Sequence, residues 1–157
     1  HTNNSSNTLE RLVDDLPSDQ QKSKLLKLVG STRSIIHQRL LNARNGGRVA
    51  VIEELHINSE LQIKMYSIVV SGNESLTNFL AAHIEEQGLS IKCSIKEKFS
   101  QGLLRLDTCI DELSQELNSN DILYFSAQCK KLFNDGTINE TEFNQWNRYL
   151  EVFSERL

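Results

Sequence analysis

The stretch Gly46-Gly47-Arg48-Val49-Ala50-Val51-Ile52-Glu53-Glu54-Leu55-His56-Ile57 constrains the fold most, because it reads as a β-strand in a chain that otherwise reads helical. A double glycine opens it. Val49, Ala50, Val51 and Ile52 then put apolar side chains on both faces of the pleat, the pattern of a strand buried in a parallel or mixed sheet. Such a strand needs neighbours, since each unpaired buried N–H or C=O costs about 1–3 kcal/mol. The other strand candidates, residues 67–71 and 89–93, are short and weakly patterned. The expectation is therefore a piece of a larger α/β protein whose remaining strands lie outside this sequence. A chain that opens on His1, without a Met or an apolar leader, either starts upstream or keeps a residue left by a tag, and only the first option agrees with that expectation.

The rest of the chain carries helical periodicity. Leu9, Leu12, Val13 and Leu16 fall at i, i+3, i+4, i+7 and stop at Pro17. A long helix is predicted over 18–43, with Leu25, Leu26, Leu28 and Val29 inward, a kink at Gly30, and Ile35, Ile36, Leu40 and Leu41 continuing the pattern. Beyond the strand, Asn58 and Ser59 start a new helix, and 71–73 breaks it. A helix over 74–87, closed by Gly88, precedes others over 94–101, 103–117, 121–134 and 140–156, the last with Phe143, Trp146, Tyr149 and Phe153. This is a helical bundle without an interrupting proline.

Composition narrows the function classes. A net charge of −4 on 157 residues gives no basic surface for nucleic acid or an anionic membrane. No apolar run approaches the roughly 20 residues of a membrane span. Three cysteines, Cys93, Cys109 and Cys129, without a C-x-x-C pair fit packed thiols in a reducing compartment.

Motifs with chemistry are few. Residues 134–143 resemble the second half of a calcium loop, with Gly136, Ile138 and Glu142 at positions 6, 8 and 12. Lys131 and Phe133 at positions 1 and 3 supply no oxygen, so the reading is a turn with Asn139 capping the next helix. Phe99-x-x-Gly102-x-Leu104 is echoed 34 residues later by Phe133-x-x-Gly136-x-Ile138, a spacing shared by helical-hairpin repeats and by unrelated helix ends. The histidines lack zinc-site spacing, and no phosphate loop, dinucleotide turn or nucleophile elbow occurs. Arg33, Arg39, Arg44 and Arg48 cluster around the turn into the strand. They are either solvated charges or guanidiniums that meet phosphates or carboxylates at a subunit boundary.

The order of features has a family resemblance. His1-Thr2-Asn3, then Thr8-Leu9-Glu10-Arg11-Leu12-Val13-Asp14, Leu16-Pro17, Arg33 to Leu40, and Gly46-Gly47-Arg48-Val49-Ala50-Val51-Ile52-Glu53 together resemble the secretion and pilus-motor ATPases. The pilus-retraction motors and the type IV secretion and conjugation ATPases are the branches it resembles. The resemblance implies a mainly α chain: the C-terminal part of a RecA-like α/β P-loop core over 1–57, with one core strand near 48–56, followed by a helical region over 58–157. It implies that His1 is the His-box histidine acting near the γ-phosphate, with Thr2 beside it. Gln38-Arg39-Leu40 and Gly47-Arg48 match segments supporting the core and the inter-subunit surface, so Arg39 and Arg48 become nucleotide-site candidates.

The same resemblance implies ATP and Mg²⁺ in the intact parent and neither in this segment alone. It further implies a homohexamer, inner-membrane secretion or pilus platform proteins as partners, and a cytoplasmic protein peripheral to that membrane. Retraction motors carry an A-I-R-N-L-I-R-like helix where this chain has Glu60-Leu61-Gln62-Ile63-Lys64-Met65. Helices over 74–87 and after Gly136 are additions to the minimal retraction motor. Both departures point toward secretion or conjugation. The alternative is a stand-alone helical adaptor that binds a partner through its aromatic C-terminal helix.

Overall fold

The computed structural model describes residues 5–87 and 90–155. Its elements run α1 (Thr8–Arg11), α2 (Ser18–Ser31), β1 (Ser34–Asn42), β2 (Arg48–His56), α3 (Ser59–Ser71), α4 (Leu76–Glu86), α5 (Ile91–Ser100), α6 (Leu106–Leu113), α7 (Ser119–Asn134) and α8 (Glu140–Ser154). The chain is mainly α with a strand at 48–56, as the sequence implied.

The long helix expected over 18–43 ends at Ser31, and residues 34–42 are strand β1 instead. Thr32 turns the backbone to ψ 135°, into the extended region. From there exposure alternates: Ile35 and Leu41 are buried, His37 and Arg39 half-buried, and Ile36, Gln38 and Leu40 face out. The doublets Ile35-Ile36 and Leu40-Leu41 offer one apolar member to either face, so they satisfy a period of 2 as well as a helical one. Pairing decides between them. β1 and β2 form a two-stranded sheet, and the turn between them is closed by Ala43 N–H donating to the Gly47 carbonyl at 3.1 Å. Gly46 and Gly47 sit at φ +91° and +78°, where a Cβ would strain the backbone. Ile57 N–H donates to the Arg33 carbonyl at 2.8 Å at the open end, in the same register.

Strand β2 is therefore not the orphan its composition suggested. Its partner lies inside the chain, and only one face is buried: Val51, Glu53 and Leu55 point inward while Ile52 is 41% exposed. The other strand candidates fall in helices, 67–71 in α3 and 91–93 in α5. The Gly88 cap and Leu89 lie outside the described residues.

Packing divides the chain into two compact units, each assembled from two stretches: residues up to Gln38 with Ile52–Ile91, and Arg39–Val51 with residues from Lys92 onward. These are divisions of packing. The expected division between an ATPase core and its helical region is a separate one.

In the first unit Leu9, Val29, Ile35, Leu55, Met65 and Leu80 form the core. Asn58 caps α3 through its side chain, and Gln62 Nε2 donates to the Val29 and Gly30 carbonyls, satisfying the C-terminal end of α2.

In the second unit Phe99 meets Phe125 edge-to-face at 5.1 Å and Trp146 at 5.5 Å. Helices α5 and α7 end alike: Gly102 and Gly136 take φ +71° and +77°, and Leu103 and Thr137 donate their N–H back to the Lys98 and Leu132 carbonyls. This shared left-handed ending is what the 34-residue echo encodes. After the second ending, Asn139 caps α8 in a box closed by Glu142, which is the turn reading of residues 134–143. Cys109 and Cys129 are buried free thiols. Burial pushes the Cys129 thiol up to about 12 and the Cys109 thiol higher still, so both are packing groups.

Candidate functional site

His1 and Thr2, the residues expected nearest the reacting phosphate, lie outside the described residues. The described chain begins at Ser5, whose N–H donates to Glu53 Oε1 at 2.6 Å. Glu53 sits on the inward face of β2 and is 6% exposed. A buried acceptor of that strength needs donors, and the backbone of the entering segment supplies one. Sequence reasoning missed Glu53. The available signal was an acid at an inward register position between Val51 and Leu55, where an apolar residue is the ordinary choice.

The four arginines separate. Arg33 belongs to the first unit and bonds weakly to its own neighbourhood, the Gly30 carbonyl at 3.4 Å. Arg44 is structural. Its Nε donates to Glu142 Oε1 at 3.1 Å and its Nη2 to the Thr137 carbonyl at 2.5 Å, in the second unit, where its backbone N–H also meets the Leu103 carbonyl at 2.8 Å. The Arg44 hydrogen bond holds the Glu142 carboxyl below its ordinary range.

Arg39 and Arg48, the two nucleotide-site candidates, are brought to the same part of the second unit by the hairpin. Arg39 donates to Glu112 of α6. Arg48 lines a groove of about 410 Å³ with Asn42, Thr108, Asp111 and that same Glu112. Tyr149 Oη donates to Asp111 Oδ1 at 2.9 Å on the same side. The groove thus holds two carboxylates beside one guanidinium, with Glu112 already paired to Arg39, and a triphosphate placed there would meet Asp111 and Glu112 as well as Arg48. The groove does not fit a nucleotide by itself. No phosphate loop occurs in the sequence to complete one. Its chemistry suits a surface bearing both charges. No group of three potential metal ligands is found among the described residues.

Two aromatic residues of α8 meet rings of their own unit. Trp146 is 2% exposed against Phe99, and Phe143 stacks on Phe133 at 4.6 Å. Among the described residues no helix is long and apolar enough to cross a membrane.

No protein-family model matches the sequence, and no curated protein does. Solved structures do. The chain is similar to the ATPase DotB of Legionella pneumophila at 20% identity and a TM-score of 0.65, over 73% of this chain and 30% of that one. The ATPase DotB of Yersinia pseudotuberculosis gives 19% and 0.62, over 71% and 28%. The pilus retraction motor PilT, solved with bound ADP, gives 26% and 0.56, over 71% and 30%. This chain spans less than a third of each of these structures. Over that span it has the fold of secretion and pilus-motor ATPases, as the motif order implied.

Proposed function

We infer, from a fold shared with the ATPase DotB and the pilus retraction motor PilT, that this chain is the C-terminal part of a motor ATPase serving a type IV secretion, conjugation or pilus machine. One coincidence carries the reading. The shared fold extends over 71–73% of the chain, and the same chain holds His1-Thr2-Asn3, Arg33 to Leu40 and Gly47-Arg48 in the family's order.

In this reading the phosphate cradle and its Mg²⁺ are supplied by residues outside this sequence, and this chain contributes to the rim of the site. His1 and Thr2 act beside the γ-phosphate. The Ser5–Glu53 bond supports the role by giving the segment that follows them a fixed point on β2. Arg48 and Arg39 face opposite charges at a subunit boundary of a homohexamer, for which a groove lined by Arg48, Asp111 and Glu112, with Arg39 paired to Glu112, is suited. The departure at Glu60 to Met65 and the additional helices favour secretion or conjugation over retraction. The parent works in the cytoplasm, docked to inner-membrane platform proteins.

The test is steady-state ATP hydrolysis and molar mass of the full-length gene product. Mg²⁺-dependent turnover by a hexamer is the expected result. A product that neither binds ATP nor assembles would overturn the reading.

A further inference from the structure

The first unit opens a second cavity, of about 390 Å³, between α1, α2 and the turn from α3 to α4. Its apolar lining comes from Val13, Leu25, Ile68, Val69 and Leu76. Leu25, Ile68 and Val69 are only partly buried, so they keep hydrocarbon surface available inside the groove.

The polar lining has one dominant sign. Glu10, Asp14 and Glu74 supply three carboxylates against the amine of Lys22. Lys22 is already committed, since its Nζ donates to the Val70 carbonyl at 2.8 Å. It thereby caps the C-terminal end of α3, a helix with no basic residue in its last turn and a negative partial charge at that end. Glu10 is also engaged, accepting from Thr77 Oγ1 at 2.5 Å. Asp14 and Glu74 remain, both exposed and without a lysine or arginine partner among the described residues. Lys22 demonstrates that an ammonium group is accommodated at this helix end.

We propose that this groove docks a cationic amphipathic helix of a partner protein, its apolar side chains on Leu25, Ile68 and Val69 and its lysines or arginines against Asp14 and Glu74. An anionic segment would be repelled. A small polyamine would satisfy the carboxylates and leave the apolar floor wet, so the groove matches a helix carrying both features. This surface is independent of the nucleotide-site reading.

The test uses the 157-residue chain, labelled for methyl and amide NMR, with three probes: a synthetic Leu/Lys amphipathic peptide of about five helical turns, a Leu/Glu peptide of the same pattern, and spermine. The Leu/Lys peptide is expected to shift the Leu25, Ile68 and Val69 methyl signals, the Leu/Glu peptide to leave them in place, and spermine to move only signals near Asp14 and Glu74. Asp14→Asn with Glu74→Gln, both at exposed positions, should weaken the Leu/Lys peptide by about fivefold at low salt. Asp14→Lys with Glu74→Lys should transfer binding to the Leu/Glu peptide. Shifts centred elsewhere, equal binding of both peptides, full methyl shifts with spermine alone, or unchanged affinity in the neutralised variant would each overturn the proposal.

Discussion

The buried carboxylates of the two units are held by different polar means. In the first, the buried Glu53 carboxyl accepts a backbone N–H from Ser5, and no lysine or arginine among the described residues pairs with it. In the second, carboxylates are held by cations. Asp121, 2% exposed, lies between Lys92 at 2.8 Å and Lys96 at 2.5 Å, and Glu142 is gripped by Arg44. A backbone tether fixes one segment and is indifferent to ionic strength. Charge pairs fix whole elements and depend on pH and salt. The buried carboxyl of the first unit thus holds a chain segment in place, and the paired carboxyls of the second hold helices and a hairpin turn together.

Asp121→Ala should break the contrast most visibly, because Asp121 receives both lysines and also closes the capping box with Asn118 at the start of α7. A loss of about 3 kcal/mol is expected in urea denaturation. Arg44→Ala should cost about 2 kcal/mol by the same measurement, since it strips Glu142 and the Thr137 carbonyl of their donor. If both variants were neutral, the ionic account of the second unit would fail.

Lowering pH sharpens the comparison. Burial alone would raise the Asp121 carboxyl, but hydrogen bonds from Lys92, Lys96 and the Asn118 backbone outweigh it and hold the group below its ordinary value; Arg44 does the same for Glu142. Their stabilisation is complete above the ordinary carboxyl values of about 3.9 and 4.3. It is lost as pH falls below these through the lower folded-state values. Amide exchange at α7 and α8 should accelerate in that acid window.

A smaller effect is expected at the tether. Glu53→Ala should free the Ser5 amide to exchange and cost about 1 kcal/mol, while Glu53→Gln keeps an acceptor oxygen and protects it. Equal exchange in the two variants would show that the bond does not hold the segment. The smallest effect is salt: 1 M NaCl should weaken the second unit by a few tenths of a kcal/mol and leave Ser5 protection unchanged.

How far the sequence could be read follows from where each signal resides. Helices α3 and α8 were legible because their starts are written locally, in Asn58 and Asn139, and the ends of α5 and α7 because glycine is placed where φ turns positive. Strand β1 was not, since its doublets fit two periods and the deciding hydrogen bonds come from β2. Once β1 is a strand, the argument that β2 requires outside partners loses its footing, and the family reading rests on motif order and shared fold. The site was legible in part. Arg39 and Arg48 were singled out by the segments they sit in, but the pairing of Arg39 with Glu112 joins residues 73 positions apart and leaves no local trace. Glu53 was hidden for the same reason, its donor standing 48 positions upstream.

In the proposed function this chain completes a nucleotide site whose phosphate cradle is supplied by residues outside it. The most direct test is ATP turnover of the full-length gene product carrying His1→Ala, with assembly checked in parallel. The account predicts an intact oligomer whose kcat falls by about 100-fold or more, the usual cost of removing one group that stabilises transition-state charge. Turnover equal to that of the parent would contradict it.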